Sequence, residues 1–278
     1  MANVFDAIQK HAAEQAQSAP PAPPEREEAQ PPSPVQAALA NEAKAPATPP
    51  AVQVSSNGYS AVLMACHDRG GPIAEQYRAL RTHLLAQYAD ERFCLVVTSA
   101  EGGEGKTVSC LNLALVLAER LERKTIVVDG DLRRGQIAGL LKMDDSVGFA
   151  DVLAGSKPLA DAIQPTVYPN LFAMAGGHVE QNEVARLVGR PETTEIVAEL
   201  RRRYDYVLID TPPISAMSDA GMLGRATGEA LLVVRMNKTS RESADRAIRL
   251  LNAANVKLVG LVLTHQKFYI PNYLYHYS

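Results

Sequence analysis

The sequence has no apolar run approaching the length of a membrane span and no excess of basic residues. A helix needs about 20 consecutive, mainly apolar residues to cross a bilayer, and no such run occurs among the 278 residues. The formal net charge is −3, whereas a nucleic-acid-binding domain usually carries a basic surface. These absences predict a protein that neither spans a membrane nor binds nucleic acid.

Cysteine is also scarce. The three cysteines, Cys66, Cys94 and Cys110, are odd in number and lack the spacing of a metal site. We expect them to be small core residues of a protein that resides in a reducing compartment. Residues 1–17 mix acidic, amide and apolar side chains without the apolar segment of a signal peptide. We therefore expect a cytoplasmic protein.

The N-terminal part of the chain differs in composition from the rest. Ten of the 18 prolines lie within the first 50 residues, and no glycine occurs before position 58. Residues 18–57 contain few aromatic and β-branched side chains, so they cannot bury enough apolar surface to offset their ordering entropy. We expect a disordered linker there. Before it, residues 1–17 fit either a short docking helix with Val4, Phe5 and Ile8 on one side or a frayed start without a function.

From residue 58 onward the pattern is that of an α/β domain. Apolar runs typical of buried strands alternate with helical periodicity, as a parallel sheet requires. The predicted strands cover residues 93–99, 125–129, 171–175, 206–210, 229–235 and 257–263. The predicted helices cover residues 73–87, 106–121, 192–203 and 241–253. We predict a mostly parallel central sheet flanked by helices over residues 58–266, followed by a tail of residues 267–278.

A glycine-rich loop, SAEGGEGKT at residues 99–107, separates the first predicted strand from its helix. Backbone N–H groups of such a loop converge on an anion, and the following helix adds the positive end of its dipole. We expect Lys106 to contact the β- and γ-phosphates and the Thr107 hydroxyl to ligate Mg²⁺. Ala100 replaces the first glycine of GxxxxGK[ST]. The predicted nucleotide-binding residues of this P-loop NTPase fold are Gly102, Gly103, Glu104, Gly105, Lys106, Thr107 and Val108.

Two further predicted strands end in aspartates. One runs into Asp129 and Asp131, and the other into Asp210. Because ligands of open parallel sheets bind beyond the carboxyl ends of the strands, we expect these carboxylates to meet the glycine-rich loop. Mg²⁺ takes oxygen ligands and usually keeps several waters. The predicted metal ligands are therefore Thr107, Asp131 and Asp210, directly or through water.

The combination resembles the bacterial tyrosine kinase (BY-kinase) family of capsule and exopolysaccharide loci, specifically its soluble cytoplasmic members. Residues 102–107 resemble the family's Walker A motif, residues 129–133 (DGDLR) its DxDxR Walker A′ motif, and residues 207–212 its Walker B motif. Residues 75–82 (EQYRALRT) are similar to the ExxRxxR oligomerisation helix of the family. The last ten residues contain four of the ten tyrosines, like the family's tyrosine cluster.

The resemblance implies an ATP- and Mg²⁺-dependent protein-tyrosine autokinase that regulates capsule or exopolysaccharide synthesis and export. It also implies a membrane-anchored polysaccharide co-polymerase that activates the kinase and recruits it to the inner face of the plasma membrane. Unphosphorylated subunits would form a ring, and a tyrosine phosphatase would reverse the modification. The implied autophosphorylation sites are Tyr269, Tyr273, Tyr275 and Tyr277. The implied oligomerisation residues are Glu75, Arg78 and Arg81.

Transfer to tyrosine suggests roles for the charged side chains. A tyrosine hydroxyl with a pKa of about 10 benefits from a base during its attack on phosphorus. Asp129 is our candidate base, which leaves Asp131 to the metal, while Lys106 stabilises charge on the transferring group. Arg133 pairs with a phosphate, with a carboxylate of the site or with a purely structural partner. The predicted catalytic set is Lys106, Asp129, Asp131 and Arg133.

Other interpretations stay open at this point. Ile270 and Leu274 also fit a packed apolar segment, and the charged face of the predicted oligomerisation helix also fits a solvated surface. A partitioning or positioning ATPase of the deviant-Walker group would carry a second lysine at the position of Glu101. A nucleotide-binding adaptor without kinase activity would carry the same site. An iron–sulfur reductase would need cysteines that two subunits share, and the three cysteines are not placed for that.

Overall fold

The computed structural model describes residues 58–266, with seven strands and ten helices. The expectations for residues 1–57 and for the tyrosine-rich segment 267–278 lie outside the described residues. The strands are β1 (Phe93–Ser99), β2 (Thr125–Asp129), β3 (Ile163–Pro165), β4 (Leu171–Met174), β5 (Tyr206–Asp210), β6 (Glu229–Arg235) and β7 (Lys257–Thr264). The helices are α1 (Met64–His67), α2 (Pro72–Leu85), α3 (Lys106–Leu117), α4 (Ile137–Leu141), α5 (Phe149–Ala154), α6 (Leu159–Ala162), α7 (Val184–Val188), α8 (Glu192–Arg203), α9 (Asp219–Thr227) and α10 (Arg241–Ala253).

The seven strands form one sheet in the order β3-β4-β2-β5-β1-β6-β7. Every neighbouring pair is parallel except β3 and β4. β1, β2 and β5 are buried along their whole length, as expected for parallel strands covered on both faces. The predicted mostly parallel α/β fold is confirmed.

Apolar side chains of the strands alternate between two cores, one on each face of the sheet. On β1, Cys94 and Val96 enter the core formed with α5, α8, α9 and α10. Phe93, Leu95 and Val97 enter the other core, formed with α1 to α4. None of the described helices is long and apolar enough to cross a lipid bilayer.

Helix α3 lies against the sheet and beneath α1 and α2. Ten of its twelve residues are buried, because both sides of the helix are covered. A helix that is apolar around most of its circumference is a buried helix. This burial fixes the position of the glycine-rich loop, from which α3 begins.

Several elements were not predicted. β3 and the short helices α1, α4, α5, α6 and α7 are too brief to leave a periodic pattern. α9 was missed because it contains two glycines, which lower helix propensity. A Cβ on Gly224 would lie 2.9 Å from Cγ2 of Val256, so the missing side chain allows α9 to pack closely against the residue preceding β7.

Candidate active site

The glycine-rich loop joins the carboxyl end of β1 to the first turn of α3. Gly103 and Gly105 have φ values of +78° and +91°, in the left-handed region that glycine adopts at little cost. A Cβ on Gly102 or Gly103 would meet no atom within 4 Å, so the outer side of the loop is open. Gly105 is the N-cap of α3, and the helix begins at Lys106. The predicted strand–loop–helix context of an anion site is therefore present.

The side chain of Glu104 points inward, although sequence reasoning placed this residue only among the phosphate-binding residues. Glu104 is 1% exposed. Its carboxylate accepts hydrogen bonds from the backbone N–H of Glu101 (2.8 Å) and Arg235 (3.3 Å) and from the Thr239 hydroxyl. The Thr264 hydroxyl donates to the Glu104 carbonyl at 2.7 Å. The loop is thus braced against the ends of β6 and β7, and the Glu104 carboxylate is engaged by these donors instead of facing the open side of the loop.

Lys106 brings two of the predicted carboxylates together. Its ammonium Nζ lies 2.9 Å from Asp131 Oδ2 and 3.3 Å from Asp210 Oδ2. The Thr107 hydroxyl donates to the same Asp210 oxygen at 2.7 Å. Lysine, hydroxyl and both carboxylates thus form one connected cluster at the carboxyl ends of β1, β2 and β5, as the sequence predicted.

Asp129 lies beside this cluster but is held separately. It is paired in register with Asp210 across β2 and β5 and is 0% exposed. Its Oδ1 accepts the backbone N–H of Asp131 at 3.2 Å, and its Oδ2 accepts that of Ile137 at 2.9 Å. Each oxygen retains a second lone pair, so the carboxylate can still accept a proton.

Burial and the neighbouring charges shift the pKa values of the ionisable groups in and beside the cluster. Burial, together with the charge of Asp210, raises the pKa of Asp129 to about 7. Burial raises the pKa of Asp210 to about 6, against the opposing effect of Lys106. Burial also lowers the pKa of Lys106, but the two carboxylates outweigh it and hold that pKa above its ordinary value. The lysine therefore stays charged at neutral pH, and Asp129 binds a proton more readily than an exposed aspartate does.

The cluster also fits a hard divalent cation. Within the described residues, Oδ1 of Asp131 and Oδ1 of Asp210 are buried oxygens without a hydrogen-bond partner. Unpaired carboxylate oxygens and a threonine hydroxyl are the donors that Mg²⁺ prefers. Thr107, Asp131 and Asp210 are thus suited to hold Mg²⁺, with the lysine ammonium providing the balancing positive charge in this structure.

Arg133 binds a carboxylate of the protein. Its Nε donates to Oδ2 of the buried Asp219 at 2.7 Å, and its guanidinium also donates to the Gln181 carbonyl at 3.0 Å. Of the alternatives left open by the sequence, an ion pair is the one present here. Asp219 is the first residue of α9. No local sequence pattern indicated the pairing, because 86 residues separate Arg133 and Asp219.

A cavity of about 370 Å³ opens next to Asp129. It is bordered by Arg133, Gly135 and the glycine pair Gly176 and Gly177. A Cβ on Gly135 would lie 3.2 Å from Asp129 Oδ2, and one on Gly176 would lie 3.8 Å from its Cγ. The absence of side chains at these positions leaves space beside the carboxylate.

The predicted oligomerisation residues form contacts within the chain. Arg78 Nε lies 3.0 Å from both carboxylate oxygens of Glu119, and Arg81 donates to the same carboxylate at 2.9 Å. Arg78 also pairs with Glu75, whose side chain is 62% exposed. The two arginines therefore tie α2 to the segment after α3, and Glu75 is the outward member. Their role in an interface stays a prediction.

Two features bear on the rival functions. Glu101 stands where a deviant-Walker ATPase would carry its second lysine. All three cysteines are buried and unpaired. Among residues 58–266 no group of three or more His, Cys, Asp or Glu side chains is arranged to hold a metal ion.

Comparison with known proteins shows which families the chain resembles. A family profile described as "ParA: NUBPL iron-transfer P-loop NTPase" matches residues 91–275. The tyrosine-protein kinase YwqD of Bacillus subtilis is 32% identical over 195 residues, which cover 70% of this chain and 81% of YwqD. The tyrosine-protein kinase wzc of Salmonella typhi is longer; it is 32% identical over 190 residues, which cover 68% of this chain and 26% of wzc.

Solved structures with a similar fold include a tyrosine-kinase domain and a septum site-determining protein. The kinase domain of Escherichia coli tyrosine kinase ETK has a TM-score of 0.70 and 29% identity, over 75% of this chain and 82% of that domain. The septum site-determining protein MinD of Pyrococcus horikoshii, complexed with Mg-ADP, has a TM-score of 0.53 and 31% identity, over 62% and 69% of the two chains.

Fold and site together define a ParA-type P-loop NTPase. Within that class the chain belongs to the family of bacterial tyrosine-protein kinases. The predicted family is confirmed.

Proposed function

We propose that the protein transfers the γ-phosphate of ATP to tyrosines of its own tail, residues 267–278, and thereby regulates capsule or exopolysaccharide synthesis and export. The observation that carries the proposal is the meeting of the Lys106 ammonium with the carboxylates of Asp131 and Asp210 below an open P-loop, with Asp129 alongside. Membership of the tyrosine-kinase family supports tyrosine as the acceptor.

The loop is suited to the triphosphate. Its N–H groups and the start of α3 form an anion cradle, and the outer side is open at Gly102 and Gly103. When a triphosphate enters, Lys106 exchanges its carboxylate partners for phosphate oxygens, which present more negative charge. The loop needs little rearrangement, because Glu104 already braces it from below.

Mg²⁺ bound at Thr107, Asp131 and Asp210 would neutralise the phosphate oxygens and offset the charge that develops during transfer. The unpaired oxygens of the two aspartates support this assignment. Asp210 also keeps its hydrogen bond from Thr107, which orients both groups.

Asp129 is suited to accept the tyrosine proton. Its raised pKa, about 7, lies closer to the pKa of about 10 of tyrosine than an ordinary aspartate's does, which favours proton transfer. As the phenolic oxygen bonds to the γ-phosphorus, the proton passes to Asp129, and the bond to the β–γ bridging oxygen breaks to release ADP. The space beside Gly135 and Gly176 gives the ring a route to this carboxylate.

The remaining parts of the proposal rest on the family resemblance. They are a membrane-anchored co-polymerase that activates the kinase at the inner face of the plasma membrane, a ring of unphosphorylated subunits and an opposing tyrosine phosphatase. The exposed Glu75 carboxylate at the surface of α2 is available to a neighbouring subunit. Tyr269, Tyr273, Tyr275 and Tyr277 are the proposed acceptors.

Intact-mass measurement with and without ATP and Mg²⁺, in the presence and absence of a candidate activating segment, tests the proposal. We expect additions of one or more phosphates, mapped to tyrosines, that vanish in Lys106→Met and Asp129→Asn. The exposed Asp144 provides a matched control, Asp144→Asn, which should label like the wild type. Deletion of residues 267–278 should remove most of the added mass. Full labelling of Asp129→Asn would refute its role as base, and nucleotide binding without labelling under every condition would favour the adaptor function.

A further inference from the structure

The last strand of the sheet has an open edge. β7 pairs with β6 on one side, and no strand of the described region lies on the other. Leu261 and Leu263 point away from the core there and are 50% and 59% exposed. An apolar edge strand left uncovered is a template for aggregation, and native proteins usually cover it.

The exposed leucines face a groove. It lies between β7 and the first half of α2, has a volume of about 530 Å³ and includes Ile73 and Leu80 among its lining residues. Ile73 is itself 42% exposed. Asp, Glu, Lys and Arg are absent from the described residues that line it. We call this feature the edge groove; it suits an apolar, uncharged segment.

The chain itself leads into the edge groove. His265 and Gln266, the last described residues, are both lining residues. His265 has a φ of +58°, a left-handed conformation that ends the strand and turns the chain. The described chain therefore ends at the edge groove.

The geometry points to the protein's own C-terminal tail, residues 267–278, as the occupant of the edge groove. The tail contains Phe268, Ile270 and Leu274 together with four tyrosines, and Lys267 is its only charged residue. Twelve residues span up to about 40 Å when extended. Pro271 has no N–H, so it disfavours simple continuation of a β ladder and permits a turn back. Attachment through Gln266 makes docking intramolecular, with an effective concentration on the order of millimolar.

Docking of the tail would also affect the nucleotide site. The Thr264 hydroxyl donates to the Glu104 carbonyl in the P-loop, and the Thr264 carbonyl accepts the N–H of Met236 at 3.0 Å. A seated tail therefore restrains the strand end that braces the loop. A phosphate adds nearly two negative charges to a tyrosine, which the uncharged groove cannot pair, so modification would release the tail. Only this release rests on the proposed function; docking of the unmodified tail does not.

Disulfide trapping tests the docking on the full chain. An intact-mass measurement confirms beforehand that the protein is unphosphorylated. The three native cysteines are buried, so engineered thiols react selectively. Ile73→Cys with Leu274→Cys should form an intrachain disulfide at least about tenfold faster than Thr82→Cys with Leu274→Cys. Thr82 is exposed and, nine positions further along a helix of about 100° per residue, lies on the opposite face of α2.

A second variant separates docking from chance collision. Leu263→Glu changes an exposed side chain, so the fold should survive, and it should lower the trapping rate at Ile73→Cys to that of the control. Equal rates for the two cysteine pairs, or no effect of Leu263→Glu, would overturn the proposal. So would preferential formation of a disulfide-linked dimer when the Ile73→Cys and Leu274→Cys chains are mixed, because the groove would then belong to a second copy.

Discussion

Substitution of Asp129 by asparagine should change how stability depends on pH. A carboxylate whose pKa is higher in the folded than in the unfolded chain stabilises the fold when protonated, and that contribution is lost as pH rises through the folded value. For Asp129 the two pKa values are about 7 and the ordinary 3.8. Asparagine cannot ionise, so the variant should lack this loss.

The magnitude follows from the two values. Between about pH 5 and about pH 8, ionisation of Asp129 should lower the free energy of unfolding of the nucleotide-free wild type by roughly 2 to 3 kcal/mol. The asparagine NH₂ group will meet a backbone N–H from Asp131 or Ile137, which costs about 1–3 kcal/mol. That cost is the same at every pH, so only the slope of the difference is diagnostic.

Urea unfolding followed by circular dichroism, at half-unit pH steps and without nucleotide, measures this difference. The free energy of unfolding of Asp129→Asn, relative to that of the wild type, should rise steadily from about pH 5 to pH 7 and then level off. Asp144→Asn, at an exposed site, should run parallel to the wild type. A difference between Asp129→Asn and wild type that does not change with pH would show that Asp129 titrates normally, and the argument for its role as base would fail.

Three further outcomes are expected. Lys106→Met removes the cation from two carboxylates, so Mn²⁺ should bind without nucleotide about tenfold more tightly than to the wild type in electron paramagnetic resonance titrations; unchanged affinity would contradict the clustering. Glu104→Gln turns an amide NH₂ toward the donors below the P-loop and should cost about 1–3 kcal/mol in urea unfolding and weaken Mg·ADP in calorimetry; unchanged values for both would show that the brace is dispensable. A Cβ on Gly148 would lie 2.2 Å from the Gly177 nitrogen, so Gly148→Ala should lower the unfolding free energy by about 3 kcal/mol, and a wild-type melting curve would refute this.

The chemistry of the site was predictable because it follows strand ends. Buried apolar runs located β1, β2 and β5, and a parallel sheet brings their carboxyl ends to one edge. Lys106, Asp131 and Asp210 therefore met as expected. Predicting this cluster did not require knowledge of side-chain contacts between distant segments.

What the sequence did not reveal depends on contacts between distant segments. The bond from Thr239 to Glu104 joins residues 135 positions apart, and GEGKT alone does not say that the glutamate faces inward. The pairing of Arg133 with Asp219 is of the same kind. Polar residues at the ends of β6 and β7, such as Thr264, were the available signal for the brace, since β6 is the neighbour of the P-loop strand β1 and β7 is the next strand of the sheet.

Calorimetric titration with a non-hydrolysable ATP analogue tests the central claim most directly. With Mg²⁺ present, we predict one site per chain, lost on chelation of the metal and strongly weakened in Lys106→Met and Asp210→Asn. Absence of binding heat in the wild type, or uptake that is indifferent to Mg²⁺ and to both substitutions, would contradict the assignment of the lysine and carboxylate cluster as the site of a magnesium-bound triphosphate.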